Sequence, residues 1–258
     1  MPLLHVNFYS ETLGTNTSMD VILPYVNNWN KHTALPHQTL YLLGGGGCDH
    51  TYYQRNYPVE KYVEGYNLAV IMPSVITRYK YSDSRYGMKW WSYCSEELPE
   101  ICKNMFHLSK DREDTFAAGS SGGGHAALKL GLCRPDIFGS VAGIHPALLC
   151  QRFVDAMVNK GEERGYELQM IFGEKVPPED EMFELLEAAA LKEHRAAMYL
   201  CCGTEDGLFN LNVDFRDRAA ELGFQPAWSQ GPGGHTWEYT NKILPEVIQW
   251  LPLKNLRQ

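Results

Sequence analysis

Short stretches rich in Leu, Val, Ile and aromatic residues recur along this chain: Leu3–Phe8, Met19–Leu23, Thr39–Leu43, Leu68–Met72, Thr115–Ala118, Ser140–Gly143, Ala197–Cys201 and Pro226–Ser229. Each has the length and composition of a β-strand. Longer segments carry apolar residues at helical spacing: Ser92–Phe106, Gly122–Leu132, Asp180–His194, Leu208–Leu222 and Glu238–Trp250. Pro99 predicts a break inside the first of these. Gly223 predicts the stop of Leu208–Leu222, and the last helix also contains a proline. The first two strands flank a loop rich in Thr, Asn and Gly and predict an antiparallel hairpin. The later strands are separated by helix-length segments, as parallel crossovers require. The pattern predicts an α/β fold with a central, mostly parallel sheet and helices on both faces.

No internal repeat or low-complexity linker divides the chain, so 1–258 reads as one domain. The acidic stretch Glu162–Glu193 lies between two predicted strands. Each carboxylate there reads first as a solvated surface group. The segment of about 150–195 is also placed to form a cap over a pocket.

Composition narrows the class. The chain is 44% hydrophobic and 21% charged, which is ordinary globular usage. Lys and Arg total 23 against 31 Asp and Glu, a formal charge of 23 − 31 = −8, so nucleic acid is not an expected partner. No apolar run approaches the ~20 residues of a membrane span. The N-terminus lacks a basic region followed by an apolar one, and no signal peptide is expected. Seven scattered cysteines, with no Cys-x-x-Cys pair, read as reduced thiols in a cytoplasmic protein. No Cys, His or acidic cluster has metal-ligand spacing in the sequence, so neither a metal nor a cofactor is expected.

Four segments carry candidate chemistry. In Gly119-Ser120-Ser121-Gly122-Gly123 a predicted strand enters a glycine-rich turn and a helical pattern leaves it. This is G-x-S-x-G in a strand–turn–helix context, with Ser121 as candidate nucleophile. Ser120 is in worse register, because Ala118 stands two residues before it. A phosphate-binding loop is disfavoured by the missing Lys-Ser/Thr ending. In Cys202-Gly203-Thr204-Glu205-Asp206 a strand ends where an orienting acid is needed; Asp206 is favoured over Glu205. His235, in Gly231-Pro232-Gly233-Gly234-His235, follows both, giving the order Ser121, Asp206, His235. His125 reads as a packing or pocket residue of the helix after the turn, and His145 as the better alternative for a pocket role. Finally, Leu43 runs into Gly44-Gly45-Gly46-Gly47. Glycines there let backbone amides approach an oxyanion. The candidate donors are the N–H groups of Gly122 and of Gly46, with Gly45 as the weaker alternative.

Taken with Tyr81-Ser82-Asp83-Ser84-Arg85-Tyr86-Gly87, Glu96-Glu97-Leu98-Pro99 and Gly231-Pro232-Gly233-Gly234-His235-Thr236-Trp237, these segments span nearly the whole chain in order. As a set they resemble the esterase D family of α/β hydrolases, which holds S-formylglutathione hydrolases, feruloyl esterases and tributyrin esterases. The resemblance is strongest to small bacterial tributyrin-type acetylesterases. It implies Ser121 as nucleophile, Asp206 as acid and His235 as base, in hydrolysis of short acyl esters from acetyl to butyryl. The chain departs from the family's pattern at two places. Gly44-Gly45 stands where the family commonly has His-Gly, and Gly122 where it commonly has Met.

The expected partner is a small-molecule ester, with no nucleic acid and no membrane; a homo-oligomer is left open. Two alternatives stay beside the esterase reading: a thioester hydrolase of the S-formylglutathione type, and a catalytically weak homologue that holds a ligand in the same cleft. The segment Tyr52–Tyr93 holds nine of the 15 tyrosines, plus Trp90 and Trp91. Most are expected to pack, and some to line the pocket.

Overall fold

The structure, a computed structural model, describes residues 1–25, 36–76, 81–84 and 87–256. Each of the eight predicted runs coincides with a strand, Leu23 and Pro226 alone falling one residue outside: β1 Leu3–Ser10, β2 Thr15–Ile22, β3 Gln38–Leu43, β4 Leu68–Pro73, β5 Thr115–Ser120, β6 Ser140–Ile144, β7 Ala197–Gly203 and β8 Ala227–Gly231. They form one sheet in the order β1-β2-β4-β3-β5-β6-β7-β8. β1 and β2 pair antiparallel, as does β2 with β4. From β4 to β8 every neighbouring pair is parallel.

The helices are α1 Tyr52–Asn56, α2 Val59–Tyr62, α3 Trp90–Ser92, α4 Leu98–Met105, α5 Gly122–Cys133, α6 Gln151–Asn159, α7 Glu163–Phe172, α8 Met182–Ala190, α9 Phe209–Glu221 and α10 Trp237–Trp250. The predicted helix over Ser92–Phe106 is interrupted. Tyr93–Glu97 forms a π-helical turn between α3 and α4, and Pro99 sits in the first turn of α4. Proline is tolerated there because its missing N–H has no helical partner anyway. The predicted helix over Asp180–His194 shortens at both ends to α8: it starts at Met182, where the Glu181 carboxylate caps it by accepting from the N–H groups of Phe183 and Glu184, and it stops at Ala190. α9 ends at Gly223, whose φ of +81° suits a residue without Cβ.

Strand alternation sorts the apolar side chains onto two faces. Tyr41, Leu43, Ala117, Val141 and Leu200 point to one face and meet α4, α5, α8 and α9. Leu40, Leu42, Phe116, Ile144 and Cys201 point to the other and meet α1, α2 and α10. The central strands are buried on both faces, which is why they read as continuous apolar runs. The architecture is therefore the expected α/β-hydrolase layering, with crossovers that deliver β3, β5 and β7 to one edge of the sheet at their C-terminal ends. Among the described residues, no helix is long and apolar enough to cross a membrane.

Candidate active site

Ser121 stands between β5 and α5 with φ 54° and ψ −117°, a backbone region that L-residues rarely occupy. The turn is held by close packing that excludes side chains. A Cβ on Gly119 would come within 2.5 Å of Leu43 O, and one on Gly123 within 1.9 Å of the same atom. Both glycines are thus required where β5 and α5 cross the end of β3. The Ser121 N–H donates to Ile144 O, and Ser121 O accepts from the N–H groups of His125 and Ala147. The hydroxyl is left facing the cleft, next to the N-terminal amides of α5, which helix geometry leaves without internal partners.

The three residues singled out in the order Ser121, Asp206, His235 come together. Ser121 Oγ lies 2.9 Å from His235 Nε2. His235 Nδ1 lies 2.8 Å from Asp206 Oδ2. An ionised carboxylate only accepts, so the imidazole carries its proton on Nδ1 and presents a lone pair at Nε2 to the serine hydroxyl. Asp206 is only 6% exposed, and its other oxygen accepts from Leu208 N–H at 2.8 Å. Burial pushes its carboxyl upward. The hydrogen bonds from His235 and Leu208, with the imidazoles of His235 and His145, outweigh burial and hold it below the ordinary carboxylate range. Glu205 is exposed, and its N–H donates to Gly233 O, which ties the strand end to the histidine loop.

Gly46 and Gly122 border one space: a Cβ on Gly122 would sit 3.4 Å from Gly46 N. The loop before it is a tight turn, with Cys48 N–H donating to Gly45 O. Gly44 packs so closely on Cys48 that a Cβ there would come within 2.8 Å of the Cys48 Cβ, whereas Gly45 has ordinary room. Two buried tyrosines brace this region from below. Tyr81 donates to Gly44 O at 2.6 Å. Tyr53 donates to Leu43 O at 2.9 Å and accepts from Ser120 N–H. Most of the described aromatic residues between 52 and 93 pack, as expected, and Tyr52 lines the cleft. Tyr79, Arg85 and Tyr86 lie outside the described residues.

His145 is more closely tied to the site than its sequence context suggested. It is 2% exposed and has a φ of +34°. Its ring lies against that of His235, with centroids 4.2 Å apart, and stacks on Tyr239 from the other side. Nε2 is 3.1 Å from the Thr240 hydroxyl, and Nδ1 is 3.5 Å from Asp206 Oδ2. The second distance is too long for a normal hydrogen bond. Burial, and then the neighbouring His235, lower the His145 pKa to about 4 against the pull of Asp206, so it is neutral near pH 7. His125, in contrast, is fully buried inside α5, and its Nδ1 accepts from Leu149 N–H.

The cleft has a volume of about 680 Å³. Its floor is Ser120, Ser121 and His145, one wall is the glycine loop, and its rim includes Arg55, Ile76 and Trp237. The last two are large apolar side chains left more than half exposed. Among the described lining residues, none comes from 150–195. There α6 and α7 pack over a small core of their own, Leu149, Val154, Leu168 and Val176, while α8 joins the core on the α5 face. Ile76 and Thr240 carried no signal in the sequence, because an apolar or hydroxyl residue gains a site role only through its neighbours; Trp237 stood out only as the end of the Gly231–Trp237 segment. His145 had one weak signal, a histidine directly after a strand.

The profile of the Esterase family matches residues 10–250. An acetyl esterase of Caldicellulosiruptor saccharolyticus is 25% identical over 97% of this chain and 98% of its own. Two solved structures from Staphylococcus aureus are also similar. The fluorophosphonate-binding serine hydrolase FphF superposes with a TM-score of 0.86 at 29% identity, covering 97% of this chain and 98% of its own. The S-formylglutathione hydrolase FrmB superposes with a TM-score of 0.84 at 29% identity and the same coverage.

Proposed function

Because this chain belongs to the Esterase family and is a serine ester hydrolase, we propose that it cleaves short-chain acyl esters, acetyl to butyryl, through an acyl-enzyme on Ser121. The observation that carries the reading is the continuous line from Ser121 Oγ to His235 Nε2 and from His235 Nδ1 to Asp206 Oδ2. In the proposed sequence His235 Nε2 takes the serine proton as Oγ attacks the ester carbonyl. Asp206 holds the ring in the tautomer that leaves Nε2 free, and stabilises the imidazolium that forms. The amides of Gly46 and Gly122 donate to the oxyanion; one such donor is worth about 10²–10³ in rate. The imidazolium returns its proton to the leaving alkoxide. Water, deprotonated by the same nitrogen, then releases the acid and restores the serine.

His145 has a positioning role in this reading. A neutral imidazole packed against His235 restrains its plane without adding a like charge beside the developing imidazolium.

A second reading is thioester hydrolysis, supported by the likeness to an S-formylglutathione hydrolase. The same attack on an acyl carbon serves both, with a thiolate leaving in place of an alkoxide. The deciding experiment compares p-nitrophenyl acetate with S-formylglutathione, using wild type and Ser121→Ala. The expected result is a higher kcat/KM on the ester, loss of turnover in Ser121→Ala, and a fluorophosphonate label mapped to Ser121. A label on Ser120, or an active enzyme left unlabelled, would overturn the assignment.

A further inference from the structure

At the far edge of the sheet from β8, three side chains with metal-ligating atoms meet outside the cleft. His5 of β1 and Asp20 of β2 face each other directly in the antiparallel register. His5 Nδ1 lies 2.8 Å from Asp20 Oδ1. His50, in the loop between β3 and α1, brings its ring within 4.6 Å of the His5 ring, centroid to centroid. One ligand atom from each of the three lies within 4.8 Å of the other two. A hydrogen bond accounts for His5 and Asp20. It does not account for a second imidazole laid against the first, nor for His50 Nδ1, which is buried with no hydrogen-bond partner among the described residues. Buried polar atoms are nearly always paired, so such an atom calls for an explanation.

We propose that His5, Asp20 and His50 form a binding site for a divalent transition-metal ion of the zinc class, with water completing the coordination shell. Two imidazoles and a carboxylate are an N, N, O set that zinc accepts with three protein ligands and an open position. Calcium and magnesium prefer oxygen ligands throughout. Bond lengths of about 2.0–2.2 Å put tetrahedral ligand atoms about 3.3 Å apart. From separations of 2.8 Å in one pair and no more than 4.8 Å in the others, closure asks for shifts of about 1.5 Å at most, measured against that ideal spacing. The His5 side chain, 51% exposed, has the freedom to make them. Asp20 is the fixed member, buried on a strand paired on both sides. Gly46 lies upstream in the same loop as His50, so a bound ion ties that loop to the β1–β2 hairpin.

The test uses the full chain in a His235→Ala background, because His145, Asp206 and His235 offer a competing N, N, O set. Metal-free protein is titrated with ZnCl₂ by calorimetry and with CoCl₂ by visible absorption. The expected result is one equivalent bound, a visible band of four-coordinate cobalt, and a rise in Tm of about 5 °C at a hundredfold excess over Kd. Affinity should fall at least tenfold in Asp20→Asn and in His5→Ala. His5 is half exposed, so its variant keeps the core intact, and the metal-free Tm of each variant checks the fold. Absence of saturable binding up to millimolar zinc, or affinity unchanged in both variants, would overturn the site.

Discussion

Ser121 holds a backbone conformation that costs about 1–3 kcal/mol, and its neighbours make every alternative worse. Asp206 and His145 are both buried, with opposite outcomes: hydrogen bonds hold Asp206 ionised against burial, whereas burial itself, with the neighbouring His235, keeps His145 neutral. Asp206→Asn should preserve the fold while presenting the wrong tautomer of His235, with kcat falling on the order of 10⁴-fold. Glu205→Gln, at an exposed position outside that line, should change kcat less than about threefold. Steady-state kinetics on p-nitrophenyl acetate checks the pair. Stability should also carry the signature of His145. Its pKa is about 4 in the folded chain, against an ordinary 6.5. Between those values the unfolded chain binds a proton that the folded one refuses, so stability is full above pH 6.5 and declines as pH falls toward 4. The loss is on the order of 2–3 kcal/mol. Asp206, held below its ordinary value, adds to acid lability at still lower pH. The groups facing His145 are His235, Asp206 and Tyr239, and His37 titrates in the same sense elsewhere. The comparison is therefore the slope of Tm between pH 7.5 and 4.5 in wild type and His145→Gln. Parallel slopes would show that His145 is not the source.

α5 is the element on which the site depends. Ser121 stands at its N-cap, Gly122 opens its first turn, and its middle is clamped from outside. Lys129, 1% exposed, pairs with Asp180 at 2.5 Å and lies 4.3 Å above the centroid of the Trp91 ring. Asp180 also accepts from Ser82 at 2.5 Å. The clamp ties the residue just before the cap of α8, and the segment around Ser82 and Trp91, to the helix that presents the serine. Removing one partner of a buried pair leaves a charge without compensation, at about 3–5 kcal/mol. Lys129→Met should lower Tm by about 10 °C. Lys129→Met with Asp180→Leu should regain most of the loss, because replacing both partners is often close to neutral. Equal Tm values for the single and double variants would count against the clamp. The turn between β5 and α5 tolerates less. Gly123→Ala places a Cβ against the Leu43 and Gly44 carbonyls, which only movement of α5 away from β3 relieves. The expected outcome is loss of soluble, folded protein, read by near-UV circular dichroism.

At the scale of the whole molecule the cleft is a groove at the C-terminal ends of the parallel strands, where α/β sheets place their ligands. Its rim is apolar at Ile76 and Trp237, and its floor is polar around Ser121 and His145. Each acyl methylene buried should contribute about 0.8 kcal/mol until the wall is reached. On the short-acyl reading, kcat/KM on p-nitrophenyl esters should peak at two to about four acyl carbons and then fall. A series from acetate to palmitate checks this, and a steady rise to long chains would sink it.

The sequence alone determined the sheet and the order of its chemistry. Short apolar runs and helical spacing are local, so the eight strands and the helices α4, α5, α8, α9 and α10 were legible, while α1, α2, α6 and α7 were not, and the glycines at 119 and 123 marked a turn too sharp for side chains. The order Ser121, Asp206, His235 singled out three residues that the fold then brought within hydrogen-bond distance. Boundaries were less legible where side chains compete with the backbone, as at the π-helical turn before Pro99 and at the Glu181 cap. What tertiary structure alone decided lies between residues far apart in the chain. The packing of His145 against His235, the bracing of the glycine loop by Tyr53 and Tyr81, the Lys129–Asp180 clamp and the meeting of His5, Asp20 and His50 leave no trace in spacing. The physical reason is range. Periodicity reports which face of its own element a residue takes, whereas these contacts depend on the register between strands and on where a loop returns to the sheet.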